Sequence, residues 1–114
     1  MSRRSSSAAS LRSAAPVFAA LGDTTRLGIV ARLSRSGPAS IAELTADSGV
    51  TRQAVAKHLR VLEDAGLVRE SRAGRETSWK LLPGGFSEAR TNLDQIARQW
   101  EDALGRLKAF VERR

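Results

Sequence analysis

Apolar residues recur at helical spacing along most of the chain, and changes in that spacing divide it into elements. Leu27, Val30, Ala31 and Leu33 fall on one side of a helix capped by Asp23 or Thr24 and running to about Arg35. Gly37-Pro38 stops it. Upstream, Pro16 suits the first turn of a short helix ending near Leu21, because its missing N–H is not needed there. Ser40-Ile41-Ala42-Glu43 has the form of a capping box, with the Ser oxygen accepting a backbone N–H and the Glu carboxylate reaching back to the cap residue. It opens a short helix bearing Ile41 and Leu44. Ser48-Gly49 breaks that helix, glycine tolerating the positive φ of a tight turn. Thr51 caps the next, which runs to about Ala65 and is closed by Gly66.

Two helices joined by a short glycine-containing turn form a helix-turn-helix pattern. Beyond it the period drops to two: Thr77, Trp79 and Leu81 alternate with Ser78, Lys80 and Leu82. With the run from Leu67 to Arg72 on the other side of Ala73-Gly74, this predicts a β-hairpin with Arg72 and Arg75 at its tip. After Pro83-Gly84-Gly85 a long helix follows to about Glu112. Leu93, Ile96, Trp100, Ala103, Leu107 and Phe110 keep a 3-4-3-4-3 spacing along it, a heptad seam widened by Leu104 and Val111. Asp94 with Arg98 and Asp102 with Arg106 are acid-before-base pairs that support its exposed side. A helix of about 27 residues spans roughly 40 Å, more than so small a domain covers by itself. Leaving Trp100, Leu107 and Phe110 in water would expose a large apolar patch, so the seam is expected to bury against a second subunit rather than serve as an intramolecular stripe only. The expected fold class is mainly α with a small β-hairpin wing, as one domain over residues 13–114.

Composition narrows the function. A chain of 114 residues that is 41% hydrophobic builds one small core with little room for a deep substrate cavity, so a surface function is expected. The net charge is +7, and its excess lies in the first half: residues 1–62 hold nine Lys/Arg against three Asp/Glu, and residues 63–114 ten against nine. Such a field suits an anionic partner, with nucleic acid ahead of a membrane because no strongly apolar amphipathic face accompanies the charge. Cysteine is absent, which removes disulfides and thiolate metal sites and fits a reducing cytoplasm. No run approaches the roughly 20 apolar residues of a membrane span. Arg3, Arg4 and the Ala-rich stretch around Pro16 loosely imitate a targeting signal, but that stretch is short and leads directly into a helix start. Residues 1–12 are therefore read as a disordered basic tail.

On the helix from 51 to 65, Val55, Leu59, Leu62 and Gly66 set the core direction, and Gln53, Ala56, Lys57 and Arg60 point roughly the opposite way. Arg52 projects from the first turn. These are the side chains that major-groove reading requires: Arg makes a two-pronged contact with guanine, and Gln can do the same with adenine. Lys57 and Arg60 suit phosphate, as do the Thr51 hydroxyl and the free N–H groups of the helix start. His58 stands at the edge of the core face, where either a phosphate contact or a hydrogen bond within the domain is open to it. With no second His and no Cys it is not a metal ligand set, and no nucleophile constellation accompanies it. Glu63-Asp64 and Glu101-Asp102 are adjacent carboxylates that diverge by about 100° on a helix, so neither pair converges on a substrate.

The ordered blocks Leu21-Gly-Asp-Thr-Thr-Arg-Leu27, Ser40-Ile-Ala-Glu-Leu44, the stretch from Thr51 to Val68, and Gly74-Arg75 resemble the ArsR/SmtB family of winged helix-turn-helix repressors over about residues 14–112. The resemblance implies a homodimer with the first and last helices, and hence Phe18 beside the heptad seam, at its interface. It also implies recognition helices in successive major grooves of double-stranded DNA and wings on flanking DNA. Carried onto this chain, the recognition positions are Thr51, Arg52, Gln53, Ala54, Lys57 and His58, and the wing positions Arg72 and Arg75. Ala56 stands where the family often has a hydroxyl residue, so one phosphate contact is missing. The larger departure is in sensing. Where many members place metal-binding cysteines the third helix reads IAELTADSG, and the last helix has no His. Asp94 and Glu101 alone would make a poor transition-metal site.

The expectation is a sequence-specific repressor on an inverted-repeat operator, not an enzyme, with no cofactor and no metal sensing. It would answer to a small molecule, a protein partner or its own concentration. Two alternatives stand beside it: a metal-responsive repressor with an oxygen-rich site, and a protein-interaction module on a winged-helix scaffold.

Overall fold

The computed structural model describes residues 3–113, with side chains from Ala8 onward. Four helices come first: α1 (Arg3–Leu21), α2 (Thr24–Ser36), α3 (Ile41–Ser48) and α4 (Arg52–Asp64). A hairpin of β1 (Val68–Ala73) and β2 (Glu76–Leu81) follows, then a 3-10 turn over Pro83–Phe86 and the long α5 (Ser87–Glu112).

Side-chain caps set the starts of the middle helices. Asp23 accepts the Arg26 backbone N–H at 3.0 Å, and Thr51 accepts that of Ala54 at 3.1 Å. Ser40 and Glu43 form the reciprocal box, at 3.1 and 3.0 Å. At the end of α4 the Gly66 N–H reaches the Glu63 carbonyl and the Leu67 N–H that of Leu62, at 2.9 and 3.0 Å. This is the Schellman closure, with Gly66 at φ 78° and both Leu62 and Leu67 fully buried. Between α3 and α4, Gly49 takes the left-handed conformation that makes the turn tight.

The core gathers Ile29 and Leu33 of α2, Leu44 of α3, Val55, Leu59 and Leu62 of α4, then Leu67, Val68 and Trp79 of the hairpin. Strand register runs from Val68 opposite Leu81 to Ala73 opposite Glu76, leaving Gly74-Arg75 as the two-residue tip, one position later than the sequence pattern placed it. Gly74 has φ 65°, as the first tip residue of such a turn requires. Ala39 adds a short third rung, exchanging two backbone hydrogen bonds with Trp79 at 3.1 and 2.8 Å. Gly85 is fixed by contact: a Cβ there would overlap the Gly66 carbonyl.

Two expectations need correction. On α2 the buried residues are Ile29 and Leu33, whereas Leu27 is 52% exposed. Apolar residues at 27, 29, 30, 31 and 33 allow more than one inward face, and contacts of Arg26 with Ala20 and His58 fix the rotation. The stretch read as a tail is helical from Arg3, and Pro16 lies inside α1 rather than in its first turn. Met1 and Ser2 of that stretch lie outside the described residues. The helix persists across Pro16 because α5 packs against it: Ala14, Val17 and Ala89 are buried, and the buried Asn92 amide donates to the Ser10 hydroxyl at 3.1 Å and the Glu88 carbonyl at 2.8 Å. That lattice of contacts links residues 82 positions apart, which no local pattern reveals.

Candidate nucleic-acid interface

The aliphatic underside of α4 determines what its upper side presents. With Val55, Leu59 and Leu62 fully buried, Arg52, Gln53, Lys57 and Arg60 are exposed. Thr51, Gln53, Ala54, Ala56, Lys57 and Arg60 line one shallow depression of about 570 Å³ along this side. The structure thus brings four of the six expected recognition positions, Thr51, Gln53, Ala54 and Lys57, together with Arg60, and Ala56 is the small floor between them. The Arg52 and Gln53 backbone N–H groups in the first turn of α4 have no acceptor one turn back, so they remain available to an oxyanion beside the Thr51 cap, which takes the N–H of Ala54.

His58 stands apart from that group. Its Nδ1 is 3.2 Å from a guanidinium nitrogen of Arg26 and 4.0 Å from the Asp23 carboxylate. A guanidinium can only donate, so Nδ1 accepts and the neutral ring keeps its proton on Nε2. The bond within the domain that the sequence leaves open to His58 is present. Arg26, which sequence reasoning passed over, also donates from Nε to the Ala20 carbonyl at 2.6 Å, and so ties the end of α1 to the middle of α4. Asp23 has its carboxyl held below the usual range first by the Arg26 backbone N–H, against partial desolvation, with the positive charge of Arg26 adding a smaller effect.

On the wing, Arg72 and Arg75 are exposed, and Arg72 Nε leans 3.4 Å from the Thr77 hydroxyl across the strands. Register also places Arg69 directly opposite Lys80, a like-charge pair that costs stability unless an anion covers it. Period two alone could not show this pair, because opposition across strands depends on where the turn falls. Among the described residues, none of Arg52, Lys57, Arg60, Arg69, Arg72, Arg75 and Lys80 pairs with a carboxylate.

Among the described residues, none covers the seam on α5. Trp100 is 64% and Phe110 63% exposed, Leu93, Ile96 and Leu107 are open as well, and Ala103 is half-buried. Phe18, on α1, is 37% exposed.

A helix-turn-helix domain model matches residues 21–71, the span from the end of α1 into β1. HTH-type transcriptional regulator Rv2034 of Mycobacterium tuberculosis is 42% identical over 93 residues, covering 82% of this chain and 83% of that one. The arsenical resistance operon repressor of Escherichia coli is 31% identical over 95 residues, covering 83% and 79%. The chain belongs to the ArsR/SmtB family. A solved ArsR-like transcriptional regulator from Rhodococcus sp. RHA1 superposes with a TM-score of 0.72 at 35% identity, over 87% of this chain and 92% of that one. As an ArsR/SmtB protein the chain is a transcriptional regulator with a DNA-binding helix-turn-helix, not an enzyme. Among its described residues no three His, Cys, Asp or Glu side chains gather as a metal ion would require. None of the described helices is long and apolar enough to cross a membrane.

Proposed function

We propose that this ArsR/SmtB regulator is a cytoplasmic homodimeric repressor that reads a short inverted-repeat operator with α4 and does not sense metal. The observation that carries the reading is the unpaired basic and amide face of α4, held outward by a fully buried aliphatic face. Arg52 and Gln53, in the first turn, contact base edges; Lys57, Arg60 and the Thr51 end of the helix grip phosphates, with Ala54 and Ala56 small enough to let the backbone approach. Arg72 and Arg75 extend the grip to flanking DNA, and His58 acts through Arg26 by fixing the rotation of α4. Dimerisation through the α5 seam and Phe18 presents two such helices to half-sites about 34–36 Å apart. Repression follows from occupying DNA that polymerase needs.

The test is the double variant Arg52→Ala with Gln53→Ala, assayed on operator and on random DNA. Loss of operator preference with random-DNA affinity retained supports base reading. Equal loss on both would reassign the two residues to phosphate. Titrating zinc, nickel or cobalt against the operator complex should leave it intact; release by micromolar metal would overturn the non-metal reading.

A further inference from the structure

A second concavity shares no residue with the recognition face. It runs between α2 and α3, about 650 Å³, within the roughly 300–1,000 Å³ typical of small-molecule sites. Its α2 wall is made of residues at helical spacing, Thr24, Gly28, Ala31 and Arg35, and Leu44 and Asp47 of α3 face them. Gly28 lies within α2, where glycine costs about 1 kcal/mol relative to alanine. Nothing crowds the position: a Cβ there would meet no atom within 4 Å. The glycine therefore serves no close packing inside the subunit, and its effect is to deepen the groove.

Charge is concentrated toward one end. Arg32 holds Asp47 at 2.7 Å and lies 3.9 Å from Glu43, so it bridges α2 to α3. Arg35 lines the same groove, and among the described residues it has no ion-pair partner. Two guanidiniums against the Asp47 carboxylate leave the lining with one net positive charge. The rest of the wall is apolar or hydroxylic, Ile29, Ala31 and Leu44 beside Thr24 and Thr25.

We propose that this groove binds a small carboxylate with an apolar body, its charged end on Arg35 and Arg32 and its body over Gly28. A monoanion matches the single net charge, and Arg presents the planar fork that suits a carboxylate. Engaging Arg32 competes with Asp47 and Glu43 for the link between α2 and α3, and α3 is the helix against which α4 is packed. Binding is thereby coupled to the recognition helix. The effector role rests on the DNA-binding reading above; the binding site itself does not.

The test uses the full chain, labelled with nitrogen-15, with octanoate as the probe and octylamine as the control of opposite charge. Saturable shifts of the Gly28, Ala31 and Arg35 amides are expected with octanoate only. Arg35→Ala should weaken them about tenfold, the low end for a hydrogen bond to a charged group at a partly open site. Gly28→Leu should abolish them while raising Tm, because leucine is the better helix former and has room. In parallel, octanoate should raise the operator Kd of the wild type and leave that of Gly28→Leu unchanged. No saturable shift up to about 10 mM, equal shifts with octylamine, or unaltered binding by Gly28→Leu would overturn the site. Shifts of the same amides on adding operator DNA alone would assign the cations to the DNA backbone instead. Binding without any change in operator Kd would overturn the coupling, and absence of DNA binding with the shifts intact would locate the failure in the DNA reading.

Discussion

Leu59 and Leu107 are the same residue in helices of similar amphipathic pattern, yet Leu59 is fully buried and Leu107 is 58% exposed. The difference separates two regions. From α2 to the hairpin, most apolar side chains are closed over by another element of the same chain, Leu27 and Val61 excepted, and each helix start has its own side-chain cap. In the second half of α5 the apolar seam is as regular, but none of the described residues covers it. The first region closes within the chain; in the proposed dimer the second is closed by the other subunit. An amphipathic pattern states that a face will be covered, and not by which chain.

That contrast is broken most severely by mutating the finished region. Leu59→Ala should cost about 3–4 kcal/mol, the range for a leucine deletion in a core that collapses incompletely. Urea unfolding followed by circular dichroism reads it directly. Leu107→Ala, under the same conditions and at protein concentrations low enough to keep subunits apart, should leave the midpoint nearly unchanged. A comparable loss in both would erase the distinction between the two regions.

The next largest effect is on assembly. Leu107→Glu combined with Phe110→Glu should yield a folded subunit that sediments as a monomer. Its operator affinity should fall at least about 100-fold, since two half-sites would no longer be held by one molecule. Random-DNA affinity should fall less, because the charged face of α4 is untouched. A variant that remains dimeric would remove the seam from the interface.

Sequence periodicity reached the first region with good resolution and the second only in part, for physical reasons that can be named. The caps at Asp23, Ser40 and Thr51 and the closure at Gly66 are local devices, each within a few residues, and the structure has all of them. The exposed face of α4 was equally legible, because three buried aliphatic residues fix a helix's rotation. What escaped was everything set by distant contacts. Helix formation upstream of Pro16 depends on Asn92 and Ala89 of α5; the inward choice of Ile29 over Leu27 depends on Arg26 meeting His58; and the Arg69–Lys80 opposition depends on the register set by Gly74. His58 illustrates the limit well. Its place at the edge of the core face is legible in the sequence, but a boundary position has two neighbours to choose from, and only the fold supplies Arg26.

A moderate effect is expected at that joint. Arg26→Met removes the donor to His58 and to the Ala20 carbonyl while keeping a long apolar stem. Operator affinity should fall about three- to tenfold, the worth of one to two hydrogen bonds at about 1 kcal/mol or less each in a half-exposed setting. Helix content should be retained. His58→Gln should recover most of the affinity lost in His58→Ala, because a side-chain amide can still accept from Arg26. Failure of that rescue, with Arg26→Met indistinguishable from wild type, would release α4 from this contact.

The smallest effect concerns acid, and it distinguishes the two regions by their helix starts. Asp23 and Glu43 both have carboxyl groups held below their ordinary values, chiefly by the backbone N–H groups they accept in capping α2 and α3. A carboxyl whose folded pKa is depressed contributes stability that is fully present above its unfolded pKa and is lost as pH falls through the folded one. The loss therefore falls below about pH 4, where carboxyls of this kind begin to take protons. Helix α5 begins after Phe86 without a side-chain cap, so its start has no such carboxylate to lose. Amide exchange measured from pH 5 down to pH 3, corrected for intrinsic exchange rates, should show protection of the α2 and α3 starts falling with acid. Protection at the start of α5 should not follow the same titration. In Asp23→Asn the cap keeps an uncharged acceptor, and the acid dependence of α2 should flatten while α3 retains its own. Parallel loss at all three starts would mean that acid acts on the whole subunit rather than on its caps.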